Sequence, residues 1–322
     1  MRQKNLLNSR ATRPGAQNRW AVILAGGDGT RLQSFTRTMT GDERPKQFCP
    51  IFGDRTLLDQ TRTRVSSAVP EEQTLVVLTK SHERFYKESV STRNRDRLLV
   101  QPENKGTAPA VVYALTRIAW KSPDAVVAFF PSDHYFSDDD TFISHVETAF
   151  EAANSNIHKV ILLGITPEGP EVEYGWIEPH ESILGSLPLA ISRVRRFWEK
   201  PTLNLARDLI ERGCLWNSFV MIGTVDSFLR MTRRTLPDLC DLFSSMIPCF
   251  ETSEEFNQLQ HLYSWIPSSN FSHEVLALRP DDLEVMKVDK VGWSDLGEPS
   301  RVLKVINARR ELWREMSDHY AR

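Results

Sequence analysis

Short apolar runs, broken by polar and turn residues, set the rhythm of the first half of the chain. Trp20–Leu24, Thr74–Leu78, Leu98–Val100, Ala125–Phe130 and Lys159–Leu163 are each rich in Val, Leu, Ile or Phe, and each predicts a buried strand. Between them the period changes to that of a helix. Ala108–Trp120 places Val111, Val112, Leu115, Ile118 and Ala119 on one face; Phe142–Ala153 does the same with Phe142, Val146, Ala149, Phe150 and Ala153. Strands alternating with helices predict βαβ units and a largely parallel sheet covered on both faces.

Past about residue 165 the rhythm changes. Tyr174–Glu178, Ile191–Glu199, Phe219–Gly223 and Leu283–Val288 read as strands with less regular helices between them. Ser300–His319 is charged and helical in pattern. The expected class is α/β: a Rossmann-like, mixed but mostly parallel central sheet flanked by helices, with a smaller β-rich half. A unit over 20–300 would divide into halves of about 20–165 and 166–300, followed by a C-terminal helix over 301–322.

Composition narrows the function. The formal net charge of 322 residues is -2, which gives no global electrostatic case for nucleic acid or an anionic membrane. Any phosphate site must be built locally. Cys49, Cys214, Cys240 and Cys249 form no C-x-x-C pair, so buried reduced thiols are expected rather than zinc or disulfides. No apolar run approaches the ~18 to 20 residues of a membrane span. The first 19 residues carry Arg2, Lys4, Arg10, Arg13 and Arg19, no acid and no apolar signal core. They read as a disordered basic tail, and the cytoplasm is the expected compartment.

The sharpest motif is Leu24-Ala25-Gly26-Gly27-Asp28-Gly29-Thr30-Arg31-Leu32, directly after the first strand. Glycines let the backbone approach a ligand, and their N–H groups wrap phosphate oxygens. No Gly-Lys-Ser/Thr follows, so this is not a Walker A loop, and the dinucleotide frame ends on Leu32. Arg44-Pro45-Lys46-Gln47-Phe48 comes next, and Lys46 and Arg31 are the natural cations for a triphosphate. Asp133, in Pro131-Ser132-Asp133-His134, follows an apolar strand, and Asp295 lies after the strand ending near Val288. Two aspartates from distant segments suit magnesium, a hard cation held by one or two carboxylates plus substrate phosphates.

These motifs, followed in order by Asn104-Lys105-Gly106-Thr107-Ala108-Pro109-Ala110, Tyr174-Gly175-Trp176-Ile177-Glu178, Phe197-Trp198-Glu199-Lys200-Pro201, Trp216-Asn217-Ser218 and Trp293-Ser294-Asp295-Leu296-Gly297, resemble the sugar nucleotidyltransferase (nucleotide-sugar pyrophosphorylase) family. The guanylyltransferase branch is the nearest in motif. The resemblance implies transfer of a nucleoside monophosphate from a triphosphate, GTP first, to a hexose-1-phosphate, mannose-1-phosphate first, with pyrophosphate leaving. It implies Arg31, Lys46 and Asp133 as catalytic residues. Leu24, Ala25, Gly26, Gly27, Gly29, Thr30, Gln101, Gly106 and Thr107 would surround the nucleotide. Tyr174, Gly175, Glu199, Lys200 and Asn217 would surround the sugar phosphate, with Mg²⁺ on Asp133 and Asp295. Two small-molecule substrates and a homodimer are the implied partners.

Three segments depart from the family pattern. Phe219 replaces the glycine after W-N-S, Val172-Glu173 replaces Thr-Gly before Tyr-Gly, and Gly106 stands where mannose-specific bacterial enzymes commonly carry Asn. Two competing readings therefore stay open: a pyrophosphorylase using UTP, CTP or dTTP with glucose-1-phosphate, and a catalytically silent nucleotide-sugar sensor. A D-x-D glycosyltransferase is a third, but Asp138-Asp139-Asp140 and Asp281-Asp282 read as surface turns.

Overall fold

The computed structural model describes residues 18–87, 96–181 and 190–320, with side chains to 311. Residues 1–17 of the expected tail lie outside the described residues, and Arg19, counted in that tail, is instead buried at the start of the first strand. In chain order the first half runs β1 (Arg19–Leu24), α1 (Gln33–Thr40), α2 (Leu57–Val65), β2 (Thr74–Thr79), α3 (Glu83–Tyr86), β3 (Leu98–Gln101), α4 (Thr107–Lys121), β4 (Val126–Pro131), α5 (Asp139–Ser155) and β5 (Val160–Ile165). The second half runs β6 (Gly175–Pro179), β7 (Ile191–Glu199), α6 (Leu203–Glu211), β8 (Leu215–Thr224), α7 (Val225–Arg233), α8 (Pro237–Ser245), α9 (Glu255–Trp265), β9 (Leu283–Val288) and α10 (Pro299–Tyr320).

Every strand expected from the apolar runs is present, though β8 begins at Leu215 rather than Phe219. The nine strands of the described residues form one sheet in the order β3-β2-β1-β4-β8-β5-β9-β7-β6. The expectation of a mostly parallel sheet is corrected. β1–β2, β2–β3, β1–β4 and β5–β9 pair parallel. β4–β8, β5–β8, β6–β7, β6–β8 and β7–β9 pair antiparallel. A strand buried on both faces gives the same apolar run in either direction, so the pattern does not encode its polarity. Because β6 pairs with both β7 and β8, the strands β5, β9, β7, β6 and β8 close into a ring.

Alternating residues feed opposite faces of the sheet. Val22, Leu75 and Val77 join one core with α4, α7, α8 and α9. Ala21, Ile23, Val76 and Leu78 join the other with α2, α5 and α6. The result is a three-layer sandwich. A third small cluster seats the C-terminal helix, with Val302 packed on Leu32, Cys49, Leu57 and Leu296. The acidic run at 138–140 lies at the surface as expected, but starts a helix rather than forming a turn: Asp138 caps α5, accepting from the Thr141 N–H at 2.9 Å, and the exposed Asp139 and Asp140 lie in its first turn. Among the described residues no helix is long and apolar enough to cross a membrane.

Candidate active site

The parallel strands bring three loops to one edge. Leu24 ends β1 in register with Pro131 of β4, so the glycine loop and Asp133 leave the sheet side by side. Ser132 N–H donates to Leu24 O at 3.1 Å, and Ala25 N–H donates to Val77 O at 2.8 Å. Gln101, at the end of β3, completes the row. These loops line a cleft of about 320 Å³ that takes in Leu24, Gly26, Gly27, Gln101, Gly106, Thr107 and Asp133. It lies beyond the carboxyl ends of parallel strands, where α/β sheets bind ligands.

The loop's glycines serve close approach. A Cβ on Gly26 would stand 2.7 Å from Gln101 Nε2 and 2.9 Å from Thr79 Oγ1, whereas one on Gly27 would meet nothing within 4 Å. Gly26 is thus packed against the wall, and Gly27 faces open space. Gln47 shapes the turn, its Nε2 donating to Ala25 O at 3.0 Å and Gly27 O at 2.8 Å. Gln101 is buried, and its Oε1 accepts from Tyr263 at 2.8 Å, which leaves its amide N–H groups facing the Gly26 side.

Gly106 is required by its backbone. Its φ is +87°, and a Cβ there would lie 2.3 Å from Ser269 O. The close approach docks a distant segment onto the start of α4. Ala108 N–H donates to Ser269 O at 3.1 Å, Ser269 N–H to Lys105 O at 2.9 Å and Phe271 N–H to Thr107 Oγ1 at 2.8 Å. Asn270 thereby lines the cleft, as Asn104 does. Gln47 and Asn104 lie inside the motifs that carry the family resemblance; nothing in the sequence pointed to Asn270.

Lys46 is almost enclosed by protein. It is 8% exposed and reaches between the two aspartate segments rather than into open cleft. Its Nζ donates to Asp295 O and, at 3.3 Å, to Leu296 O, and it pairs with Asp133 Oδ2 at 3.3 Å. The ammonium thus ties Asp133 to the Asp295 segment, which lies 249 residues beyond Lys46 in the chain. Asp295 Oδ1 accepts from Gly297 N–H at 2.9 Å, Tyr174 OH at 3.0 Å and Arg301 Nη1 at 2.8 Å. Burial opposes its ionisation, but Lys46 and Arg301 outweigh burial and hold its carboxyl below the usual range.

Tyr174, expected beside the sugar phosphate, gives its hydroxyl to Asp295. Its ring is 7% exposed and packs edge-on against Trp216 and Trp293, with Arg301 over its face. Burial, then the Asp295 charge, push its phenol far above the ordinary range, so it stays a neutral donor to Asp295. His134 is neutral as well, burial pushing its pKa down to about 4. Trp293 Nε1 donates to its Nδ1 at 3.2 Å, which assigns the ring hydrogen to Nε2 and leaves no lone pair for base catalysis.

The remaining sugar-side residues gather on the β6–β7 hairpin and on β8, beside the cleft rather than in its lining. Gly175 and Glu199 are register partners, and Lys200 N–H donates to Tyr174 O at 3.2 Å. Burial raises the Glu199 carboxyl above its usual range, opposed by Lys200. On β8, Asn217 pairs with Gly164 of β5 while Met221 pairs with Leu162. The extra β8 residues bulge out at Phe219, whose φ is +58°. Asn217 Oδ1 accepts from Phe219 N–H at 3.1 Å. Phe219 lines the cleft and packs partly on the core beneath. Lys200 and Leu296 also have positive φ, so three site motifs share the left-handed backbone that non-glycine residues rarely adopt. Thr30 opens a short 3₁₀ turn after Gly29, and Arg31 within it pairs with Glu173 at 3.0 Å.

A glycine loop, a buried amide and a carboxylate over one crest of parallel strands mark a nucleotide-binding α/β protein. The chain belongs to the nucleotidyl transferase family, whose model matches residues 20–311. It is 27% identical over 292 residues to the mannose-1-phosphate guanylyltransferase of Escherichia coli (strain K12), covering 89% of this chain and 59% of that protein. It is 28% identical over 291 residues to the alginate biosynthesis protein AlgA of Pseudomonas aeruginosa, covering 88% of this chain and 58% of that one. The chain therefore spans less than two thirds of the length of these relatives. A crystal structure described as mannose-1-phosphate geranyltransferase, from Thermus thermophilus, superposes with a TM-score of 0.73 at 29% identity, over 87% of this chain and 77% of that one. UDP-glucose pyrophosphorylase complexed with UDP-glucose, at 16% identity and a TM-score of 0.57, shares the fold.

Proposed function

We propose that this protein transfers GMP from GTP to mannose-1-phosphate, giving GDP-mannose and pyrophosphate, with the cytoplasm as its setting. The observation that carries the reading is the meeting of the glycine loop, Asp133 and Lys46 at one sheet edge, with Lys46 binding the segment of Asp295. The names of the relatives supply the base and the sugar.

The donor set fits magnesium. Among the described residues no group of three or more His, Cys, Asp or Glu gathers to cage an ion. Asp133 and Asp295 offer two carboxylates, as expected for a hard cation that completes its shell with phosphate and water. Magnesium, when bound there, would neutralise charge on the α-phosphate and the leaving pyrophosphate.

The protein's own groups orient and neutralise. Gln101, held by Tyr263, presents its amide beside Gly26, where a base oxygen would rest. Lys46 fixes the spacing of the two aspartate segments, and Tyr174 with Arg301 fixes the rotamer of Asp295. Arg31 and Lys200 stand half exposed, as cations for phosphate. The attacking sugar phosphate is already ionised, so no protein base is needed, in keeping with a neutral His134. The test is a panel of nucleoside triphosphates against sugar-1-phosphates, reading pyrophosphate release. GTP with mannose-1-phosphate is expected to be fastest. Faster turnover of UTP or dTTP with glucose-1-phosphate overturns the base and sugar, and no release from any pair overturns the reaction.

A further inference from the structure

One carboxylate oxygen serves two cations of the site. Glu173 Oε2 lies 3.0 Å from Arg31 Nη1 and 3.4 Å from Lys200 Nζ. Arg31 belongs to the turn after the glycine loop, and Lys200 follows β7 on the opposite side. The side chains of Arg31 and Lys200 are each 53% exposed, and that of Glu173 is 35% exposed. Glu173 immediately precedes the Tyr174–Gly175 hairpin, whose backbone is tied to Lys200.

We propose that Glu173 is an internal competitor for substrate phosphate, and that its displacement couples the binding of the two substrates. The inference rests on the nucleotidyl-transfer reading. A carboxylate between two guanidinium or ammonium groups occupies the place of a phosphate oxygen. Exposed ion pairs are weak, so a more highly charged phosphate with several acceptor oxygens displaces this one. A phosphate that takes Arg31 removes one of the two pairs holding Glu173. The second phosphate then competes with a carboxylate held only by Lys200, and binds more tightly than it would alone. Without Glu173 no shared obstacle remains, and two anions on neighbouring cations disfavour each other.

The experiment measures calorimetric binding of inorganic pyrophosphate and of mannose-1-phosphate, each alone and each in the presence of the other, with magnesium throughout. Wild type, Glu173→Gln and Glu173→Asp are compared. In wild type, pyrophosphate is expected to tighten mannose-1-phosphate binding about threefold, the scale of one exposed ion pair. In Glu173→Gln each ligand alone binds about threefold more tightly, and the mutual tightening disappears. Glu173→Asp separates bridging from simple repulsion. It keeps the charge but withdraws it by a methylene, so a bridge predicts loss of coupling and repulsion predicts wild-type behaviour. Coupling that survives in Glu173→Gln, or a Glu173→Asp protein that behaves as wild type, overturns the inference while the transfer reaction stands. Absence of binding by both ligands to all three proteins overturns the reaction reading and the inference with it.

Discussion

Replacing Phe219 by Gly and by Ala gives two proteins whose order of stability is set by the bulge in β8. Phe219 is partly buried, so truncation removes roughly half of the packing lost when a fully buried Phe becomes Ala, about 2 of some 3–5 kcal/mol. Both variants lose that packing. They differ in the backbone, because φ is +58°. An L-residue in the left-handed region carries about 1–2 kcal/mol that glycine does not. Phe219→Ala keeps this cost and is expected to lose about 2 kcal/mol. Phe219→Gly sheds it and is expected to lose about 1 kcal/mol or less. In an ordinary strand the order is opposite, with glycine about 0.5–1 kcal/mol worse than alanine. Urea unfolding of wild type and both variants, at equal slope, reads the difference as a shift in midpoint. A Phe219→Gly protein no more stable than Phe219→Ala refutes the argument that the bulge strains this position. Because Phe219 also lines the cleft, the substrate panel run on both variants should show altered sugar preference.

Gly106→Ala places a methyl 2.3 Å from Ser269 O at a φ of +87°, so it is expected to cost at least about 1–2 kcal/mol and to raise KM for the nucleotide, read by thermal unfolding and by kinetics. Glu199→Gln should stabilise the protein at neutral pH but not in acid. The folded carboxyl titrates above its unfolded value, so its contribution is complete below the unfolded pKa and is lost as pH rises through the folded one. Melting curves of wild type and variant that keep a constant separation across that range would contradict the assignment. Asp133→Asn should fold normally yet lose at least ~100-fold in turnover at saturating magnesium, the scale of a major electrostatic stabiliser; near-normal turnover removes Asp133 from the metal.

Much of the fold was legible because buried strands announce themselves by composition: the five apolar runs of the first half and the four segments read as strands beyond residue 165 all fall on strands. Strand direction was not legible. β5 and β8 are apolar on both faces, and nothing local distinguishes the parallel β5–β9 pair from the antiparallel β5–β8 pair. Motif order located the cleft lining from Leu24 to Asp133, since each motif sits next to the strand that positions it. The contacts of Lys46 and Tyr174 were hidden because their partners are far along the chain. Lys46 meets a carbonyl 249 residues away, and Tyr174 gives its hydroxyl to a carboxylate 121 residues away. A lysine in a loop looks like a free cation until its acceptors are known. Phe219 was legible only as an oddity: a large side chain at a glycine position, explained once the register showed the bulge.

The charged side chains of the site are paired with one another. Lys46 is paired with Asp133, Arg301 with both Asp295 and Glu171, and Arg31 and Lys200 with Glu173. Four cations thus face four carboxylates, and the group is locally neutral. A net charge of -2 over the whole chain adds no attraction from a distance. A polyanionic triphosphate entering this cleft therefore finds no surplus positive charge. On the proposed reaction its binding would proceed by exchange, with phosphate oxygens replacing the carboxylate on Arg31 and Lys200. The uncompensated remainder has to be met by a cation that arrives with the nucleotide. Such exchange would suit a cleft in which cations and acids are paired instead of forming a basic patch. A permanently basic pocket would hold pyrophosphate, the product that must leave, as firmly as the triphosphate that must enter. Paired charges keep the empty site neutral, and under the proposed reaction Glu173 would return to its two cations when pyrophosphate departs.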